Sequence, residues 1–301
     1  MGKEFNNSVQ FQEKKTFGNP VFYLRLEDKE NDSDVVYEEI KKTLNAAFDE
    51  DNKDSLLGQL SRKFELPRGL HTQLDFINYG NTQLVYLATL FKGDFNRHFT
   101  VLVNQPSTKL ETVKDEFDNL QTLFKIDPRF VIEPHAFFTD GKYSLYATTY
   151  IEKARCIYSG YGRWGMFDPK PIYHFVPFSQ EVSNSVTSNM VALLVRYYNE
   201  KRGVGISRTQ LNGDDFILSQ EWNQNSPNAV LENMKLISAR GTVDISFNEY
   251  LDILRNEFMR GTHYKDDIVR RGEMRVNFKS GLPMSEKVIE DGIILGLSLR
   301  N

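Results

Sequence analysis

The chain has 301 residues, of which 40% are hydrophobic, 26% charged and 13% aromatic, and its net charge is −4. That apolar share builds substantial cores and excludes a disordered chain, while the mild acidity gives no reason to expect nucleic acid or an anionic membrane as partner. A single cysteine, Cys156, excludes an internal disulfide framework and suits a reducing compartment, and no Cys/His spacing matches a zinc site.

The first fifteen residues lack the apolar stretch of a secretory signal, and no apolar run reaches the length of a membrane span. Met1-Gly2 opens as a myristoylation signal does, but Asn6 stands where that signal wants Ser or Thr. A cytoplasmic protein is expected. Residues 1–20 read as a polar arm or edge segment, and 21–26 as a short strand. Val36, Ile40, Leu44 and Phe48 recur at helical spacing and predict a helix over 34–48. Leu56, Leu57, Leu60 and Phe64 predict another over 54–64, closed by Pro67-Arg68-Gly69.

Three strands follow, at 74–77, 84–88 and 99–103, in an antiparallel meander. Thr108 and Glu111 have capping-box spacing, and Val113, Phe117, Leu120 and Phe124 mark a helical face behind them. Strands at 132–138 and 145–150 complete the order β-β-β-α-β-β over 70–151. Residues 153–180, rich in Gly, Pro and aromatics, read as an irregular insertion. A helix is expected over 186–202 and short strands at 216–218 and 234–237. Ser246 and Glu249 form a second capping box ahead of Phe247, Tyr250, Leu251, Leu254 and Phe258. A short helix follows Ser285.

Five antiparallel strands interrupted by one helix, then a mainly helical half, resemble the two-lobed protein-kinase-like fold, in its aminoglycoside and choline kinase branch. The expectation is an α+β protein with an extension at 1–69, an N-lobe at 70–152 and a C-lobe at 153–301. The strongest match is Gln210-Leu211-Asn212-Gly213-Asp214-Asp215 followed by Phe216-Ile217-Leu218, which has the spacing, leucine and strand of the kinase catalytic loop. The resemblance puts Gln210 at the position of the base aspartate and Asp215 at that of the metal-binding asparagine, with Asp214 beside it. The same residues also read as turn chemistry.

The resemblance further implies a phosphate-covering turn at Gly80 and Asn81, a hinge at Tyr150 and Ile151, and a nucleotide crevice between the lobes. Glu116 falls at the helix glutamate, or is a solvated residue of that helix. Its lysine partner is missing from the third strand, with Lys92 or Arg97 as conceivable substitutes. Ser238 stands where the second metal-binding aspartate belongs, and Asp244 replaces it only if the loop is displaced. Gln210 has no carboxylate to take a proton. Losing lysine, base and metal ligand together points to a catalytically inactive binding or scaffold protein with a protein partner. Two alternatives stay open: an atypical phosphotransferase or nucleotidyltransferase using Asp214 and Asp215, and a non-kinase structural or assembly protein. No cofactor is fixed by the residues; the resemblance names ATP and Mg²⁺ as the candidates.

Overall fold

Leu84, Tyr86, Ala88 and Leu90 alternate along one strand and are all buried, which orients the main sheet around a core on that face. The computed structural model describes residues 10–12, 32–79, 83–105, 108–160, 163–168, 174–207, 215–219, 229–259, 269–271, 274–276 and 285–300. The chain forms two compact units, 1–118 with 133–150, and 119–132 with 151–301. The architecture is mixed α+β, with seven helices among the described residues.

The first unit contains β1 (Gln10–Gln12), α1 (Asp32–Ala47), α2 (Leu56–Phe64), β2 (His71–Tyr79), β3 (Gln83–Lys92), β4 (Phe95–Asn104), the first half of α3 (Leu110–Ile126), β5 (Pro134–Thr139) and β6 (Ser144–Thr149). The sheet order is β1-β2-β3-β4-β6-β5; β1 is parallel to β2 and the other five strands are antiparallel. The strands run longer than the apolar runs that signal them, because hairpin pairing carries the ladder into polar residues such as Lys92 and Asn96. Ile40 and Leu44 from α1, Phe48 just after it, and Leu56, Leu57 and Leu60 from α2 share one core with the sheet. The buried residues of these two helices therefore belong to this unit's core. Ser55 caps α2 by accepting from Gly58 N at 2.9 Å. The strand expected at 21–26 lies outside the described residues.

The second unit begins with the second half of α3. It continues through β7 (Arg155–Cys156), β8 (Tyr158–Gly160), β9 (Arg163–Asp168), β10 (His174–Pro177), α4 (Gln180–Arg196), β11 (Val204–Ile206), β12 (Phe216–Leu218), α5 (Val230–Asn233), β13 (Met234–Leu236), β14 (Thr242–Asp244), α6 (Phe247–Met259), β15 (Val269–Arg271), β16 (Met274–Val276) and α7 (Glu286–Ser298). Two expectations are corrected here. The supposedly irregular 153–180 segment holds a three-stranded antiparallel sheet, β10-β9-β8, and β7, which joins β12 and β13. The helix expected over 186–202 starts and ends six residues earlier. Ser179 caps its start by accepting from Val182 N, and buried Ser183 and Thr187 are polar because Trp164 N and Trp164 Nε1 donate to their hydroxyls. Its end is set by Asn199, whose backbone pairs with Val204 in both directions.

α7 lies along α4 through two glycines. A Cβ on Gly292 would stand 2.6 Å from Ser188 O, and one on Gly296 2.6 Å from Val195 Cβ. No helix among the described residues is long and apolar enough to cross a membrane.

Candidate functional site

In the first unit, Glu116 is not a solvated helix residue. It is 1% exposed, and Gln83 Nε2, at the start of β3, donates to its Oε2. Glu116 stands on the face of α3 that also buries Val113, Phe117 and Leu120. The two basic substitutes lie elsewhere. Lys92 Nζ donates to Arg68 O, and the Arg97 guanidinium lies 3.7 Å from the centre of the Phe64 ring. A neutral amide therefore meets the buried Glu116 carboxylate. The sequence shows both residues, but nothing local to either marks the other as its partner.

Of the other residues singled out in this unit, Gly80 and Asn81 lie outside the described residues. Tyr150 packs edge-on against His98, with ring centres 5.8 Å apart, and is the last residue of this unit. A second polar cluster joins α2 to the sheet. Lys63 Nζ donates to Glu133 Oε1 at 2.8 Å and lies 3.0 Å from His135 Nδ1. An ammonium only donates, so Nδ1 accepts and the proton sits on Nε2, which donates to Thr149 Oγ1 at 2.9 Å. The His135 side chain is 4% exposed, and burial followed by the charge of Lys63 pushes its pKa down to about 4.

In the second unit, Asp215 opens β12 and is 2% exposed. Its backbone oxygen accepts from Ile237 N at 2.8 Å, which locks it to the end of β13. Arg240 Nη2 donates to its carboxylate Oδ1 in a buried ion pair. Arg240 is fixed from both sides: Asn119 Nδ2 donates to Ala239 O at 2.9 Å, and Ser207 N donates to Gly241 O at 3.0 Å. β11, which leads into Ser207, is itself pressed beneath α6. A Cβ on Gly205 would meet the Tyr250 ring at 2.7 Å, and Tyr250 OH donates to Ile206 O at 2.8 Å. Ser238 is buried between β13 and Arg240, while Asp244 is exposed on β14, opposite Val204 of β11. Gln210 and Asp214 lie outside the described residues, and Ile151 begins this unit's longer segment. Among the described residues no three His, Cys, Asp or Glu side chains are grouped to hold a metal ion.

Sequence reasoning passed over Asp127. Its carboxylate accepts from Arg129 Nη2 at 2.7 Å, Arg129 Nε at 2.9 Å and Arg196 Nε at 3.2 Å, and Tyr197 OH donates to its backbone oxygen at 2.8 Å. The Arg129 hydrogen bonds, against the opposing effect of burial, hold its pKa down at about 2. The cluster ties the end of α3 to the end of α4. The signal was available as an Asp-Pro-Arg turn after a helix, though its second arginine is 69 residues away.

No family model matches this chain, and no curated protein matches it in sequence. Among solved structures the chain is similar to a crystal structure of the BubR1 kinase domain, at 13% identity and a TM-score of 0.40, over 76% of this chain. It spans 61% of the length of that structure. The chemistry of this chain is therefore read from its own side chains.

Proposed function

We propose that this chain is a catalytically inactive, kinase-like binding protein that engages a protein partner. The observation that carries the reading is the buried Asp215–Arg240 pair. In the kinase pattern the residue at Asp215 binds the metal that neutralises the phosphates. Here a guanidinium already donates to Oδ1 of that carboxylate, and a divalent cation at the same oxygen would face a fixed positive charge. Asp215 so engaged does not fit Mg²⁺, and no phosphoryl-transfer step is routed through one.

The test is a pair of measurements on the full chain. Thermal shift with ATP, with and without Mg²⁺, is expected to show no metal-dependent stabilisation. Incubation with labelled ATP and generic acceptors is expected to transfer no phosphate. Robust transfer that disappears in Gln210→Ala or Asp215→Asn would overturn the proposal and restore the metal-dependent transferase reading.

A further inference from the structure

In the second unit, the ends of α3 and α4 gather more positive charge than their own carboxylate balances. Arg129 holds Asp127 with both arms of its fork, Nε on Oδ1 at 2.9 Å and Nη2 on Oδ2 at 2.7 Å. Arg196 Nε reaches the same Oδ2 at 3.2 Å, and Arg196 Nη2 donates to Ile126 O at 3.4 Å. Lys235 Nζ donates to Arg129 O at 2.7 Å. Partial burial lowers the Lys235 pKa and the charge of Asp127 opposes that, so this ammonium belongs to the same cluster. Three cations share one carboxylate, and among the described residues no second acidic side chain pairs with any of them.

The cluster is fixed by its own contacts. Asp127 is buried, and Tyr197 OH holds its backbone oxygen at 2.8 Å. The Arg129 guanidinium lies 4.9 Å from the centre of the Phe130 ring. Hydrogen-bonding capacity is left over. Among the described residues no acceptor meets Nη1 of either arginine, the Arg129 side chain is 63% exposed, and the Lys235 ammonium has further N–H groups to give. Arg196 alone ties α3 to α4, through Asp127 and Ile126. Arg129 and Lys235 add charge that the tie does not need, and crowded like charges disfavour one another unless an anion joins them.

We propose that Arg129, Arg196 and Lys235 form a binding site for a phosphate monoester, presented as a phosphorylated serine or threonine on a protein partner. Such a group carries close to two negative charges and three strong acceptor oxygens, which match the surplus charge and the unused N–H groups. Guanidinium forks suit phosphate oxygens in particular. A polyanion fits poorly, because the chain as a whole carries −4 and surrounds this local surplus with the opposite sign. That a protein carries the phosphate rests on the binding-protein reading above; the recognition of phosphate rests on these side chains.

The test follows the Nε–H signal of Arg129 by NMR in the full chain with isotope-labelled arginine, the signal being identified by its loss in Arg129→Gln. The probes, at fixed ionic strength, are an alanine-flanked phosphoserine pentapeptide, its unphosphorylated form, its glutamate counterpart and inorganic phosphate. The expected result is saturable movement with the phosphopeptide, none with the unphosphorylated form, and binding of the glutamate peptide weaker by about tenfold. Lys235→Gln, which leaves both arginines on Asp127, should weaken the phosphopeptide by about tenfold as well. The proposal falls if the phosphopeptide does not saturate the signal, if the glutamate peptide binds equally, or if Lys235→Gln changes nothing. It falls too if inorganic phosphate moves the signal and the phosphopeptide does not, since the site would then take a free ion. No ATP enters these titrations, so their failure leaves the inactive-kinase reading standing. Phosphoryl transfer in the labelled-ATP assay would strike that reading, while these titrations still decide the phosphate site.

Discussion

A carboxylate taken out of water keeps its charge only where cations or N–H groups meet it, and Asp215, Asp127 and Glu116 meet that demand in three ways. Asp215 meets the pinned Arg240 guanidinium, Asp127 meets two arginines, and Glu116 meets the Gln83 amide. Removing one member of a buried pair strands the other. Asp215→Ala should therefore destabilise the second unit by about 3–5 kcal/mol in urea unfolding, while the double change with Arg240→Met costs clearly less. A double change as damaging as the sum of the two single ones would mean that the pair is not coupled. Gln83→Leu should cost about 1–3 kcal/mol, because it withdraws a donor from a buried carboxylate. These partners were not legible in the sequence. Residue types could be assigned to positions by spacing, but Gln83 meets Glu116 across 33 residues and Asp215 meets Arg240 across 25.

Elements with strong local signals were legible. The β-β-β-α-β-β order of 70–151 follows from alternating apolar residues and turn glycines such as Gly93, whose φ is 56°. The Ser246 box is made as written: Ser246 N donates to Glu249 Oε2 at 3.0 Å, and Glu249 N donates to Ser246 Oγ at 3.4 Å. Ser246→Ala should cost about 1 kcal/mol and lower the helical signal of α6 near its start by hydrogen exchange. Elements shaped by distant contacts were not legible. β8 and β9 lie among glycines and aromatics without a sustained period of two, and α4 carries buried hydroxyls that make its first turns look like a loop. The α4–α7 contact gives a sharper expectation. Gly292→Ala places a methyl against Ser188 O, a backbone atom that cannot swing aside, and should lose about 1–3 kcal/mol. Gly141→Ala, with nothing within 4 Å, should meet no such clash and serves as the comparison, its positive φ contributing a smaller strain.

For the whole molecule, acid should act on the two units in sequence. His135 is held neutral in the first unit with a pKa of about 4, below its ordinary 6.5. The unfolded chain takes up that proton first, so this contribution is complete above about pH 6.5 and is lost as pH falls towards 4. Asp127, in the second unit, has a pKa of about 2 against an ordinary 3.8. Its contribution is complete above about pH 4 and is lost as pH falls towards 2, by roughly 2 kcal/mol. Calorimetry between pH 7 and pH 2 should show the first unit weakening before the second, and His135→Gln should flatten the upper window alone. The glycine seam between α4 and α7 has a temporal consequence too. A ribosome delivers residue 150 long before residue 298, so everything the first unit needs emerges early. Val191 and Val195, however, wait about a hundred residues for Gly292 and Gly296 to arrive and cover them. During translation the nascent second unit carries a bare helix groove, which makes it the half of this protein that a chaperone would hold.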